Sequence, residues 1–327
     1  MKAFVVSERD GELECAVREV TTEARDPTDV LVRVEYSGVN YKDALVAQSP
    51  SRVRQVARLI GGVDAAGVVA ASHPHFAEGT RVAVHGGDLG VGRDGGFAEF
   101  VYAPVASLNV LPATLSTRDA MILGTAGFTA MASILALEES GPAPAGEVLV
   151  TGATGGVGSM AITLLALRGY QSVASTGSAH EAPWLYERGA TRVIGRDEIS
   201  DRPERVLGTE RWAAAVDCVG GDTLHQILRS LRYGGAVAAS GLVASAQLTT
   251  TVYPFITRAV RLIGIDAVRA TVDSRKLVWD ALGALSARLA FAPLVDREIG
   301  LTELESAFAA IRAGSIRGRI LVNPAAA

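Results

Sequence analysis

The segment "VLVTGATGGVG" at positions 148–158 constrains the fold most, because an apolar strand there runs directly into a loop with four glycines. Gly152, Gly155 and Gly158 recur at every third position, and Gly156 stands beside them. A helix that begins at such a loop presents unpaired N–H groups and a partial positive charge, which together bind pyrophosphate. Glycines also let the backbone approach the phosphates closely. The alternative is a plain strand-to-helix turn.

The segments after position 148 favour the nucleotide-binding interpretation, because short apolar runs alternate there with stretches of helical periodicity. The pattern predicts helices over Gly156–Arg168, Glu181–Arg188 and Thr223–Leu231. Fully apolar strands that alternate with helices are typical of a parallel sheet covered on both faces. We therefore expect an α/β protein with a Rossmann doubly wound parallel-sheet domain that binds NAD(P) over residues 121–289.

The first 120 residues carry a different pattern, with short β-favouring runs separated by turns rich in glycine, proline or acidic residues. Several short strands at close spacing predict a β-barrel or sandwich. The segment 297–324 reads strand, helix, strand and does not continue the six-strand pattern before it. We expect residues 290–327 to return to the first domain and complete it.

Composition excludes several classes of partner and site. The formal net charge is −4 without a basic run, so nucleic acid is not expected to bind. The two cysteines, Cys15 and Cys218, lie far apart and form no metal-ligand spacing, so neither a metal nor a disulfide is expected. The N-terminus does not resemble a signal peptide, and no uninterrupted apolar run predicts a membrane span. A cytoplasmic protein is the expectation.

The end of the second predicted strand bears on which dinucleotide binds. NAD-binding sites usually carry an acidic residue there that holds the ribose 2′-hydroxyl. In "VASTGSAHE" at 173–181, Thr176, Gly177 and Ser178 come before any acid, so nothing repels a 2′-phosphate. Arg196, after the third strand, is a candidate to reach that phosphate. The pattern favours NADP over NAD, and NAD stays an alternative.

The assembled pattern resembles the medium-chain dehydrogenase/reductase superfamily, in which a Rossmann domain is inserted into a GroES-like barrel. Within that superfamily it is similar to the zinc-independent quinone oxidoreductase group, and more narrowly to the acryloyl-CoA reductase branch. The motifs that carry the resemblance are "SGVNYKDAL" (37–45), "GVDAAG" (62–67), "LGTAGFTA" (123–130), "TGATGGVG" (151–158), "TVYPFITRAVRLIGIDAV" (251–268) and "GRILV" (318–322).

The resemblance implies a GroES-like catalytic domain, NADPH as cofactor, no zinc, and reduction of a polarised C=C bond or a quinone. It implies that Tyr41 lies beside substrate and cofactor. The positions that match the family's cofactor contacts are Thr154, Gly155, Gly156, Val157, Gly158, Thr176, Gly177, Ser178, Arg196 and Leu242. It also implies a homodimer, because "VRLIGIDAV" at 260–268 resembles the edge strand through which relatives pair.

The sequence departs from the branch in three places. Ser178 stands where the family has an arginine that clamps the 2′-phosphate, so a charge-assisted contact is lost and the preference for NADPH is weakened. The segment "ARLIGGVD" at 57–64 lacks the branch's usual prolines before the turn. The segment "RDGGFAEF" at 93–100, with the preceding "VHGGDLGVG", lacks the tryptophan and the histidine that the branch usually has in this loop. Both are expected to border the substrate cleft, so they bear on which substrate is reduced.

Tyr41 and Asn40 are the candidate catalytic residues. In conjugate reduction, negative charge develops on a carbonyl oxygen, and a hydrogen-bond donor stabilises it. A phenol, which titrates near pH 10, is protonated at neutral pH and can donate, and an asparagine amide can donate too. The structural alternative is that Asn40 caps a short helix on which Tyr41 is half-buried. The neighbouring Lys42 and Asp43 are expected to form a solvated helix start.

Three functions stay open at this stage. The first is an NADPH-dependent reductase of an enoyl thioester such as acryloyl-CoA, or of an enone. The second is a quinone reductase without thioester activity. The third is a protein that binds NADPH as a sensor and does not turn it over. The small-molecule substrate is not decided by any of the motifs, because fold analogy supports only the class of reaction.

Overall fold

The computed structural model describes residues 1–141, 145–199 and 205–326. It divides into two compact units. Unit 1 comprises Met1–Phe128 with Ala267–Ala327, and unit 2 comprises Thr129–Asp266. The sequence predicts a first domain over residues 1–120, completed by 290–327, and a second over 121–289. These bounds stay a prediction about which segments fold independently.

The strands and helices are numbered in chain order. The strands are β1 (Lys2–Arg9), β2 (Glu12–Glu19), β3 (Val30–Val39), β4 (Arg58–Ile60), β5 (Asp64–Val69), β6 (Arg81–His85), β7 (Phe100–Ala103), β8 (Leu108–Val110), β9 (Val148–Thr151), β10 (Ser172–Ser175), β11 (Arg192–Ile194), β12 (Trp212–Asp217), β13 (Leu231–Ala239), β14 (Arg261–Gly264), β15 (Val295–Ile299) and β16 (Arg319–Val322). The helices are α1 (Tyr41–Val46), α2 (Thr117–Glu139), α3 (Gly156–Leu167), α4 (Ala182–Glu187), α5 (Gly221–Ser230), α6 (Tyr253–Arg258), α7 (Val272–Leu285) and α8 (Leu304–Arg312).

Unit 1 is built from two mainly antiparallel sheets. One has the order β2-β1-β4, and the other has the order β15-β16-β3-β5-β6-β8, with β7 also paired to β3. Phe4, Phe97 and Phe308 are buried in its core, with ring centroids 5.7 to 6.4 Å apart. Phe308 lies on α8, so the C-terminal strand–helix–strand segment packs against the first strands of the chain. The predicted β-rich region is confirmed.

Unit 2 contains one six-stranded sheet in the order β11-β10-β9-β12-β13-β14, and every neighbouring pair is parallel. This order of strands is typical of dinucleotide-binding domains. The central strands are apolar because helices cover both faces, and Leu149, Val173 and Val237 are fully buried. The predicted Rossmann fold is confirmed, and α3 begins at Gly156, where the glycine spacing predicted a helix.

Helix α2 is long and apolar, and the boundary between the two units falls within it. At Gly124 the backbone leaves helical geometry, with φ 50° and ψ −156°, so two helical segments meet there at a kink. Among the described residues, α2 alone has the length and mean hydropathy, 1.8, to cross a membrane. Because 78% of its apolar window is buried inside the protein, α2 has the character of a core helix.

Candidate active site

The glycine loop of unit 2 connects β9 to α3. Gly152 adopts φ 59°, and Gly155 precedes the first residue of α3 without a side-chain cap, so the helix N-terminus keeps unpaired N–H groups. A Cβ on Gly158 would overlap the carbonyl oxygen of Gly152, so no larger residue fits between helix and loop. The residues present therefore fit a pyrophosphate group.

A buried hydrogen-bonded pair joins the carboxyl ends of β9 and β12. The hydroxyl of Thr151 donates to Asp217 Oδ1 at 2.6 Å and accepts the N–H of Cys218 at 3.0 Å. Asp217 Oδ2 accepts the N–H of Gly220 at 2.9 Å. Burial raises the pKa of Asp217, against the hydrogen bonds from Thr151 and the backbone, which lower it. Sequence reasoning missed this pair, although an acid at the end of an apolar strand was the available signal.

The ends of β10 and β11 bring together the residues predicted to meet the 2′-phosphate. Thr176 follows β10 and is buried, and its Oγ1 accepts the N–H of Ser178 at 3.0 Å. A Cβ on Gly177 would lie 2.5 Å from the guanidinium carbon of Arg196, so the two residues are in direct contact. Arg196 is exposed, and its positive charge lies at the loop that holds Ser178.

All ten predicted cofactor residues lie in unit 2 and follow the carboxyl ends of its strands. Thr154 to Gly158 follow β9, Thr176 to Ser178 follow β10, Arg196 follows β11, and Leu242 follows β13. Leu242 is 56% exposed. In an open α/β sheet, ligands bind outside this edge of the strands.

Asn40 and Tyr41 lie together in unit 1 at the start of α1. The carboxylate of Asp43 accepts the N–H of Asn40 at 2.8 Å, so Asp43 satisfies the backbone at the helix N-terminus. Asn40 is the N-cap residue of α1, and its side-chain oxygen accepts a hydrogen bond from Arg319 at 3.0 Å. Tyr41 is 36% exposed, and its hydroxyl has no hydrogen-bond partner among the described residues.

Behind these two residues lies a buried cluster of charges formed by Asp43, Asp64 and Arg319. Asp43 Oδ1 accepts the N–H of Val63 at 2.9 Å, and Asp64 Oδ2 accepts the N–H of Thr125 at 2.9 Å. Arg319 Nη2 lies 3.7 Å from Asp64 Oδ2. Each of the three charged residues is at most 3% exposed.

The electrostatics of the cluster follow from its burial. Desolvation and the neighbouring Asp64 carboxylate raise the pKa of Asp43 to about 7, against two backbone hydrogen bonds and Arg319, which lower it. The expectation that Lys42 and Asp43 form a solvated helix start is wrong for Asp43, because that side chain points into the unit. Sequence reasoning missed Arg319, whose signal was a lone cation inside the apolar strand "GRILV".

Within residues 1–141, 145–199 and 205–326, no three His, Cys, Asp or Glu side chains are placed to hold a metal ion. Two domain families match the chain. The family described as alcohol dehydrogenase GroES-like domain matches residues 26–113. The family described as zinc-binding dehydrogenase matches residues 156–282.

Individual proteins match over nearly the whole chain. The putative quinone oxidoreductase YhfP of Bacillus subtilis is 43% identical over 94% of both chains. A crystal structure of B. subtilis yhfP with NAD bound has a TM-score of 0.93 over 98% of both chains. The probable acrylyl-CoA reductase AcuI of Escherichia coli is 40% identical over 99% of both chains.

A third relative carries the phosphorylated dinucleotide. The crystal structure of the yhdH oxidoreductase of Salmonella enterica in complex with NADP has a TM-score of 0.92 at 40% identity, over 99% of both chains. Similarity of this extent covers both the antiparallel sheets of unit 1 and the parallel sheet of unit 2. The chain therefore belongs to the medium-chain dehydrogenase/reductase superfamily, in its zinc-independent, quinone oxidoreductase-like branch.

Proposed function

We propose that this protein is an NADPH-dependent reductase of an activated C=C bond, in an enoyl thioester such as acryloyl-CoA or in an enone. The observation that carries the proposal is the 40% identity to the probable acrylyl-CoA reductase of E. coli, which extends over 99% of both chains. Such a reaction needs a site for the cofactor and a hydrogen-bond donor for the substrate. The glycine loop supplies the first, and Asn40 and Tyr41 supply the second.

The residues of unit 2 suit NADPH. The N–H groups of the loop from Thr154 to Gly158 would hold the pyrophosphate, and Thr176, Gly177 and Arg196 would hold the 2′-phosphate. Leu242, which is 56% exposed, offers an apolar surface beside Gly220 at the carboxyl end of β13. Ser178 supplies no charge, so we infer that NADH also serves, with a smaller preference for NADPH than an arginine at that position would give.

The chemistry assigned to unit 1 is stabilisation of charge and supply of a proton. When bound, NADPH would supply a hydride for the β-carbon of the substrate. As negative charge develops on the carbonyl oxygen, the hydroxyl of Tyr41 and the amide of Asn40 donate hydrogen bonds to it. Tyr41 is partly exposed and unpaired among the described residues, so its proton is available for donation.

Quinone reduction is the second candidate function. It is favoured by the 43% identity to the putative quinone oxidoreductase YhfP. The segments 57–64 and 85–97, which are expected to shape the substrate cleft, differ from those typical of the acryloyl-CoA reductase branch. In unit 1 they pack against each other, because the carbonyl of Gly62 accepts the N–H of Gly96 at 2.9 Å.

We also propose a cytoplasmic homodimer. Strand β14 pairs only with β13 among the described residues, so its other edge has unpaired backbone groups. Leu262 on this strand is exposed, as are Tyr253 and Ile256 on the preceding helix α6. An exposed apolar edge is normally covered, and a second copy of the same edge would cover it.

The test measures oxidation of NADPH and NADH, by loss of nicotinamide absorbance, with acryloyl-CoA, crotonyl-CoA, a simple enone and a quinone. We expect thioester turnover that Tyr41→Phe abolishes and that Tyr233→Phe, a change at a tyrosine of 68% exposure in unit 2, leaves unchanged. Quinone turnover alone, indifferent to Tyr41→Phe, would favour the second candidate. Binding of NADPH without oxidation by any acceptor would contradict both and indicate a sensor.

A further inference from the structure

The side chain of Asn40 is oriented by Arg319. Arg319 Nη1 donates to Asn40 Oδ1 at 3.0 Å. A guanidinium has no acceptor, so the amide must present its oxygen to it and its nitrogen elsewhere. Asn40 Nδ2 donates one N–H to the carbonyl of Gly38 at 3.2 Å, and its second N–H has no acceptor within the described part of the chain.

We propose that Arg319 is a positioning residue for the reduction: by holding Asn40 Oδ1, it directs the remaining N–H of Asn40 to the carbonyl oxygen of the substrate. This inference rests on the proposed function, and it adds a residue that does not itself touch the substrate. With the oxygen turned towards the substrate instead, Asn40 would repel the developing negative charge, so the orientation decides whether Asn40 can assist.

The guanidinium is itself held in one place. Its Nε donates to the carbonyl of Ile122 and its Nη1 to that of Val39, both at 3.2 Å. A Cβ on Gly38 would lie 2.7 Å from Nη2, so the glycine leaves just enough room for the planar group. A lysine would keep the charge beside Asp64 but could not reach these carbonyls and Asn40 together.

Arg319 also links β16 to β3 and α2, so a substitution could act by loosening the fold. Arg275 offers a matched control for the contact, because it is 4% exposed in the same unit and donates to the carbonyls of His85, Ala270 and Val268. These bonds tie α7 to β6 and to the segment after β14, whereas Arg319 bonds to Asn40. Arg275→Lys therefore reports the cost of replacing a buried, carbonyl-bonded arginine without disturbing the proposed orientation.

The contact can be measured without turnover, since the chain contains three asparagines, Asn40, Asn109 and Asn323. Selective ¹⁵N labelling of asparagine side chains gives three amide pairs by NMR, and loss of one pair in Asn40→Ala assigns Asn40. We expect Arg319→Lys to shift the Asn40 pair and leave the other two, while Arg275→Lys leaves all three unchanged. An unshifted Asn40 pair in Arg319→Lys overturns the proposal.

A kinetic cycle tests the consequence for the reaction. We expect Arg319→Lys to lower kcat by about tenfold or more in the wild-type background, and by less than about twofold when Asn40 is already alanine. The NADPH dissociation constant should stay unchanged. Equal losses in the two backgrounds would overturn the positioning role. A wild-type protein inert towards every acceptor contradicts the proposed function, and the NMR measurement still decides the contact.

Discussion

The hydroxyl of Thr151 donates to the buried carboxylate of Asp217 at 2.6 Å, and this bond joins two adjacent strands where the cofactor loop begins. Thr151 is the last residue of β9, and the glycine loop starts at the next position. The same hydroxyl accepts the N–H of Cys218, so it bonds to two consecutive residues at the carboxyl end of β12. A single side chain therefore joins β9 to the end of β12 at the point where the loop leaves the sheet.

Replacing Thr151 with valine keeps the shape and removes the hydroxyl. We expect the free energy of unfolding to fall by about 1–3 kcal/mol, because Asp217 and the Cys218 N–H lose a partner while buried. The dissociation constant of NADPH should rise in the same variant. Urea unfolding and fluorescence titration measure both. Thr151→Ser should behave as wild type, and a Thr151→Val protein with unchanged stability and affinity would contradict the role.

Arg196 should determine the preference for the 2′-phosphate, since its guanidinium contacts Gly177 beside Ser178. We expect Arg196→Ala to raise the KM for NADPH by about tenfold or more, because one charge-assisted contact is lost. The KM for NADH should stay unchanged. Arg192→Ala is the control, because Arg192 begins β11, the strand that precedes Arg196, and pairs with Glu147. Equal effects on both cofactors would show that Arg196 acts on the fold instead.

Ser178→Arg should have the opposite effect. An arginine at this half-buried position adds a bidentate donor for the 2′-phosphate, so the ratio of kcat/KM for NADPH to that for NADH should rise by about tenfold. Steady-state kinetics with both cofactors measure that ratio. Ser178→Gln supplies a long neutral side chain and should leave the ratio unchanged. A ratio that rises equally in both variants would mean that length, not charge, is responsible.

The cofactor half of the protein was predictable because its signals are local. The spacing of Gly152, Gly155 and Gly158 and the apolar strand before it are all within eleven residues of sequence. Helix α3 begins at Gly156, as that spacing predicts. The parallel sheet followed from apolar strands alternating with helices, which is also a property of short windows.

The charge cluster of unit 1 was not predictable in the same way. Lys42 and Asp43 are typical of a solvated helix start, yet Asp43 is buried because the N–H of Val63 and that of Asn40 both bond to it. Arg319 meets these residues only when the C-terminal strand β16 pairs with β3. Such contacts join distant parts of the chain, and no local pattern reports them.

The raised pKa of Asp43 makes the stability of the protein depend on pH. The ordinary pKa is 3.8 and the folded value is about 7, so the folded state binds this proton more tightly than the unfolded chain does. Stability from this group is therefore complete below about pH 4 and declines as pH rises to about 7, by up to about 1.4 kcal/mol per pH unit. Urea unfolding across that window measures the slope.

Asp43→Asn removes the titration, so the slope should flatten in that window even if the variant is less stable throughout. Asp10→Asn is the matched control, because Asp10 is exposed and its positive φ suits asparagine as well. Its slope should equal that of the wild type. An Asp43→Asn protein with the wild-type slope would show that other groups carry the pH dependence.

A charge on the open edge of β14 should separate the proposed dimer. Leu262 lies on that strand and is 39% exposed, so Leu262→Arg places like charges across a two-fold edge contact. We expect size-exclusion chromatography with light scattering to show a dimer for the wild type and a monomer for the variant. Leu277→Arg, a change at an exposed leucine of α7, should leave the dimer intact. A monomeric wild-type protein would refute the proposed assembly.

The central claim is hydride transfer from NADPH to a polarised C=C bond, and isotope tracing tests it most directly. NADPH carrying deuterium at both C4 positions is supplied with crotonyl-CoA in ordinary water, and the product is examined by mass spectrometry and NMR. We predict one deuterium at the β-carbon and a solvent proton at the α-carbon. A product without deuterium, or consumption of NADPH only when a quinone is present, would contradict conjugate reduction by this protein.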